Sequence, residues 1–138
     1  MPFWLLKTEP STYSFADLQR DKRTTWDGVS AAPALKHMRD MRQGDLAFIY
    51  HTGDEKQIVG IAEVTSDPYP DPNAGDQKLV AMDLKPKQSL KNPVTLAQVK
   101  ADPRFKDFSL VRIGRLSVMP VPAHLWKALL SMAGESTR

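Results

Sequence analysis

An α+β fold, a curled sheet with helices at its periphery, is what the sequence predicts, and two observations carry the prediction. Apolar runs of strand length recur along the chain, while helical periodicity is confined to short stretches. The two kinds of segment also fail to alternate in the regular order that a doubly wound sheet requires. No repeat or long linker divides residues 1–138, so a single domain with its own core is expected.

The elements follow in order. Phe3-Trp4-Leu5-Leu6-Lys7 is apolar nearly throughout and is stopped by Pro10, as a buried strand would be. Ser14 with Asp17 three residues on forms a capping box, which starts a short helix through Phe15 and Leu18. Trp26 sits beside the turn signal Asp27-Gly28 and belongs near a loop. A second helix begins near Pro33 and carries Leu35, Met38 and Met41 on one face. Residues 46–52 and 57–64, joined across Gly53-Asp54-Glu55-Lys56, read as an antiparallel hairpin. Alternation within it places Tyr50 and His51 on opposite faces, so that only one of them points inward. Gly60 marks a bulge or a close approach of ligand.

The segment Asp67–Asn73 holds three prolines and is expected to be a stiff irregular loop. A strand resumes over Lys78–Leu84, followed by a connection bearing Pro and Lys and a short helix at Thr95–Lys100. Leu110–Val121 has strand character around Gly114, and a last helix runs from Pro122 to Ala133 with Gly134 closing it.

Composition narrows the function. Hydrophobic residues at 41% and charged residues at 25% fit neither a disordered chain nor a membrane span. The absence of cysteine removes disulfides, thiolate nucleophiles and Cys-ligated metals, and fits a reducing compartment. The opening apolar run is too short for a secretory leader, so a cytoplasmic protein is expected. The net charge is +3, but residues 70–138 hold 11 Lys/Arg against 6 Asp/Glu, whereas residues 1–69 hold 8 against 10. The basic stretch from Lys85 to Arg115, with Lys85, Lys87, Arg112 and Arg115 foremost, is a candidate face for phosphates, or simply a solvated basic surface.

No phosphate-cradling glycine loop, nucleophile elbow or His-Glu-x-x-His helix is present. His37, His51 and His124 fall on separate elements, so neither metal nor cofactor is expected, and His37 and His124 read as helix-surface residues. Polar groups remain at the ends of two buried strands: Lys7, Thr8 and Glu9 after the first, Tyr50, His51 and Thr52 after the second. Lys7 and Glu9 share one side of an extended chain and offer a donor and an acceptor to one cleft, or else pair with each other as surface ions. Trp26 and Tyr50 supply flat surfaces on which a splayed base can stack, a contact of about 1–3 kcal/mol. Trp4 and Trp126 lie in apolar periodic runs and read as core, a pattern that Trp26 lacks.

Six separated motifs, Trp4–Pro10, Trp26–Val29, Phe48–Thr52, Ile58–Ala62, Pro68–Asp71 and Arg115–Val121, stand together at spacings that resemble the EVE domain family, with correspondence from about residue 3 to residue 133. That resemblance implies a PUA-like fold, a curled mixed sheet or pseudo-barrel of five or six strands with short helices, related to the YTH readers of methylated RNA. It also implies recognition of a modified cytosine in DNA, or of a base in RNA, by a pocket walled by Lys7, Thr8 and Glu9 and stacked by Trp26. Asp27 belongs to the matched motif, and Tyr50, His51 and Ser117 would contribute from neighbouring strands. Many family members continue the Trp-Asp-Gly-Val motif with Arg-Asn, whereas Ser30, Ala31 and Ala32 stand here, which alters the polar edge of the pocket.

The expected function is therefore a non-catalytic, monomeric module binding nucleic acid that carries a modified base, without a membrane role. The alternatives are a small hydrolase of a modified nucleoside, using Lys7 and Glu9 as acid and base, and a protein-interaction module displaying the proline-rich loop at 68–72.

Overall fold

The computed structural model describes residues 3–72 and 78–135. Its centre is two strands, β1 (Phe3–Thr8) and β3 (Leu46–His51), paired in parallel with Leu5 opposite Phe48 and Lys7 opposite Tyr50. A parallel pair needs a long crossover. Here the crossover contains α1 (Phe15–Asp21), the short strand β2 (Thr24–Trp26) and α2 (Ala32–Asp40). The capping box of Ser14 and Asp17 opens α1 with both reciprocal bonds formed, and Pro33 stands at the second position of α2.

The hairpin of β3 with β4 (Gln57–Val64) forms as the pattern predicts. Next to β4 runs β6 (Val80–Thr95), which differs from expectation: residues 85–94 are strand rather than a connection. Register shifts explain how this strand absorbs Pro86. Opposite Ile61 and Ala62 the partner jumps from Gln88 to Pro86, and opposite Ile58 and Gly60 it jumps from Val94 to Ser89, so the extra residues bulge out of the ladder. The proline-rich segment is also partly regular, since β5 (Tyr69–Pro70) pairs with Ala81 and Val80 of β6. Pro70 is tolerated because this two-residue strand lies off the main path of the sheet. Asn73, assigned to the same segment, lies outside the described residues.

A short helix α3 (Leu96–Ala101) follows, capped by Thr95 and Gln98. The apolar run from Leu110 turns out to be split. Its first part is a helical turn, α4 (Ser109–Arg112), with Leu110 buried, and only β7 (Val118–Val121) is strand. Short apolar runs do not distinguish helix from strand by periodicity, and here the carbonyl of Phe108 accepts from both Val111 and Arg112, which closes a helical turn. The final helix, α5 (Ala123–Met132), ends before Gly134, whose φ of +74° a glycine accepts without strain.

Among the described residues the strand order is β2-β6-β4-β3-β1-β7, with β5 attached to β6, a mixed sheet of seven strands where five or six were expected. Helices cover both of its faces. On one side Trp126 of α5 stacks between Phe3 and Phe48 at centroid distances of 4.4 and 4.0 Å. On the other, Met38 of α2 and Phe15 of α1 are buried, and the Phe15 ring lies so close over Gly60 that a Cβ there would come within 2.4 Å of Cζ. Gly60 thus admits a ring of the protein itself, beside a bulge. Double coverage also corrects the expectation for Tyr50 and His51. They do face opposite ways, yet both are buried, at 3% and 7% exposure. Trp4 and Trp126 are core, as their periodic surroundings predict; the Trp4 indole donates to the buried Asp45 at 3.0 Å. No helix among the described residues is long and apolar enough to cross a membrane.

Candidate nucleic-acid interface

The main path of the sheet ends in β2 and β7, and its curl brings the C-terminal end of β1, beside β7, towards β2. A cavity of about 460 Å³ opens at this seam. Lys7, Thr8 and Glu9 line it from the end of β1, Ser117 from just before β7, and Trp26 and Asp27 from the end of β2. Six of the eight pocket residues expected from sequence therefore meet in one place.

Short bonds hold each wall. The Lys7 N–H donates to the Ser117 carbonyl at 2.9 Å, which ties the two strands together at the rim. The Thr8 hydroxyl donates to the Tyr13 carbonyl at 2.7 Å and fixes the turn leading into α1. Beyond Trp26, Gly28 takes a φ of +73°, and its N–H donates at 3.1 Å to the carboxylate of Asp71, itself buried. Tyr69 donates to Asp83 at 2.6 Å, and Thr25 donates to the same oxygen at 3.1 Å. The proline-rich segment is thus a strap holding β2 and the loop after it, with Pro70 and Pro72 left exposed.

Trp26 is half-buried: it packs against the edge of the core and also borders the cavity. Tyr13 adds a second aromatic wall, and Thr12, Thr24, Thr25 and Val29 complete the lining. None of these five was singled out from sequence. Tyr13 was the most accessible of them to such reasoning, as an aromatic residue between Pro10 and a helix cap and outside any periodic run.

Lys7 and Glu9 form no ion pair. The Lys7 ammonium donates to the Gly114 carbonyl at 2.9 Å and lies 5.6 Å from the centre of the Tyr50 ring, and its burial pushes its pKa down. The Glu9 carboxylate accepts from the N–H and hydroxyl of Ser11 and from Thr52, at 3.1 to 3.3 Å, and these bonds, that of the Ser11 N–H foremost, hold its pKa below the usual carboxylate range. Each group of this pair is thus held by its own partners rather than by the other.

Two expected residues lie elsewhere. His51 accepts the Phe15 N–H at Nε2 and donates from Nδ1 to Glu55, at 3.0 and 2.9 Å, so both ring nitrogens anchor α1 and the hairpin. Tyr50 faces a neighbouring cavity described below. Of the phosphate candidates, Arg115 lies two residues before Ser117 in the rim loop, whereas Arg112 is 3.9 Å from Asp107 and Lys85 is 3.9 Å from Glu63. Lys85 and Lys87 lie on β6 beyond Leu84, the partner of Thr24, away from the Trp26 end of β2. Ser30 and Ala31 lead directly into α2, and Ala31 caps that helix without a side-chain bond. Among the described residues no group of three or more His, Asp or Glu is placed to hold a metal.

A curled mixed sheet forming a half-barrel, with a few short helices packed on it, defines a PUA-like module. The chain belongs to the EVE domain family, whose defining pattern matches residues 2–132. A solved protein of Rhodopseudomonas palustris is 45% identical and superimposes with a TM-score of 0.93 over 97% of this chain and 94% of that one. Thymocyte nuclear protein 1 of Danio rerio is 29% identical over 96% of this chain and 72% of its own length. The structure of human THYN1 protein in complex with 5-methylcytosine containing DNA is 25% identical, with a TM-score of 0.89 over 99% of each chain. A YTH domain of Zygosaccharomyces rouxii, at 15% identity and a TM-score of 0.58 over 99% of this chain and 88% of that one, shares the fold.

Proposed function

We propose that this chain binds nucleic acid by taking one modified base, a modified cytosine in DNA before any other, into the seam cavity and stacking it on Trp26. The observation that carries the proposal is the cavity itself, with a half-exposed indole and a tyrosine on its walls and both donors and acceptors on its rim. A volume of about 460 Å³ falls in the range of small-ligand sites. Lys7 supplies N–H donors, Glu9 and Asp27 supply acceptors, and the edge of a base presents both kinds of group. The human THYN1 relative, bound to DNA containing 5-methylcytosine, supports the choice of ligand.

The energies are compatible. Extruding a base costs a few kcal/mol, least where it is already unpaired, while one stacked ring returns about 1–3 kcal/mol and phosphate contacts supply the remainder. Titrating fluorescent oligonucleotides that carry cytosine or 5-methylcytosine at one position tests the proposal. Tighter binding of the methylated strand is expected. Equal affinity for the two at every salt concentration overturns it.

A further inference from the structure

A second cavity, of about 230 Å³, adjoins the first through Lys7, which lines both. Its other walls come from the hairpin (Tyr50, Thr52, Gly53, Lys56), from α3 (Leu96, Lys100) and from α4 and the loop after it (Leu110, Val111, Gly114). Three lysines converge on this space, and among the described residues no carboxylate lines it. Lys56 and Lys100 make no ion pair among the described residues. Lys7 spends one N–H on Gly114 and keeps the others. The nearest acidic groups are already bonded: Glu9, which lies against Gly53 at the wall of the cavity, to Ser11 and Thr52, and Glu55 to His51 and Gln57. Asp54 and Glu55 line a neighbouring groove that Lys56 and Lys100 also border, and neither carboxylate lines the cavity. Leu96, Leu110 and Val111 provide apolar walls, which strengthen the field of the three ammonium groups within the space.

We infer that this second cavity is a phosphate site, in which Lys56, Lys100 and the shared Lys7 hold the backbone phosphate flanking the base bound at Trp26. The inference deepens the base-binding proposal and rests on it. A nucleotide's base and its phosphate are joined by one sugar, and Lys7 stands at the matching junction between the two cavities. The contact reads no sequence. It positions the strand and makes binding sensitive to salt.

The test uses a Lys56→Gln/Lys100→Gln double variant, which keeps most of each stem and removes both charges. Both side chains are exposed and unpaired, so a wild-type melting temperature is expected. Lys127→Gln on α5, which lines neither cavity, is the control. The slope of log affinity against log salt for a single-stranded methylated oligonucleotide is expected to shrink by about 0.7 in the double variant, the share of one phosphate. That corresponds to roughly 5-fold weaker binding at ~0.1 M salt and little change near ~1 M. Preference for the methylated strand is retained. Replacing the linkage beside the methylated base with a neutral methylphosphonate weakens wild-type binding and has a smaller effect on the variant, in which only Lys7 remains to hold that phosphate. An unchanged slope, or an equal methylphosphonate penalty in both proteins, overturns the phosphate site even if methyl preference persists. Loss of methyl preference in the wild type strikes the base proposal instead, and the slope comparison still decides the second cavity.

Discussion

Truncating Trp26 to alanine separates a stacking wall from a packing residue. The indole is half-buried, so the substitution removes part of the contact that holds the loop after β2 and, if a base occupies the cavity, the surface on which it lies. Full burial of a tryptophan loses about 3–5 kcal/mol on truncation to alanine; half-burial lowers that to roughly 1.5–2.5 kcal/mol, which a folded domain of this size tolerates. The loss of stacking adds about 1–3 kcal/mol to the binding free energy, or about 5- to 150-fold in affinity. Trp26→Phe keeps a ring of smaller area and should retain most of the binding. Melting temperature and fluorescence anisotropy on the same samples give the two numbers separately. A Trp26→Ala protein that melts lower yet binds the methylated oligonucleotide within twofold of wild type would show that the indole only packs, and the base-binding proposal would fall with it.

Three further outcomes follow from particular contacts. Gly60→Ala drives a methyl group into the Phe15 ring, where three ring carbons lie within 2.6 Å, and is expected to cost about 1–3 kcal/mol, read as a lower urea midpoint; an unchanged midpoint would mean that α1 yields freely. Asp71→Ala removes the acceptor of the Gly28 N–H, with an expected loss of about 1–3 kcal/mol and weaker binding of the methylated strand, although Asp71 does not line the cavity; intact binding would show that the strap does not position the loop. Acidification should destabilise the fold through Asp17, whose carboxyl the Ser14 N–H holds below its ordinary range: a depressed folded value gives stability that is present above the unfolded value and lost as pH falls through the folded one. Urea midpoints collected from neutral pH into the acid range, compared with Asp17→Asn, check this; identical acid profiles would refute it.

The parts of the fold that were legible in the sequence are those specified by local chemistry. Phe3–Leu6 and Ala47–Tyr50 read as strands because covering a sheet on both faces leaves nearly continuous apolar runs, and Ser14 with Asp17 reads as a helix start because the two satisfy each other's orphan groups. What stayed illegible depends on partners distant in sequence. Pro86 looks like the end of a strand until β4 is seen to accept bulges beside it, and Leu110 looks like strand until the Phe108 carbonyl closes a turn behind it. Tyr69–Pro70 pairs only because Val80 and Ala81 lie alongside.

The same distinction governs the site. Lys7, Thr8 and Glu9 stood out as polar residues ending an apolar strand, and Trp26 as an aromatic residue without periodic neighbours; both signals are local. That they face Ser117, far along the chain, is a property of the seam, which exists only once β6 has curled far enough to bring β2 towards β1. Tyr13 and the threonines enter the lining because the crossover from β1 to β3 passes through that gap, so their role follows from the path of the chain rather than from their neighbours. His51 shows the converse. A polar residue at a strand end looks like a ligand contact, but the parallel pairing of β1 and β3 lays α1 directly over it, and the Phe15 N–H and Glu55 occupy both ring nitrogens. Strand ends at the seam are left open to a ligand, whereas strand ends beneath the crossover are consumed by it, and it is this difference that makes Lys7 and Trp26, rather than His51, the residues on which binding should depend.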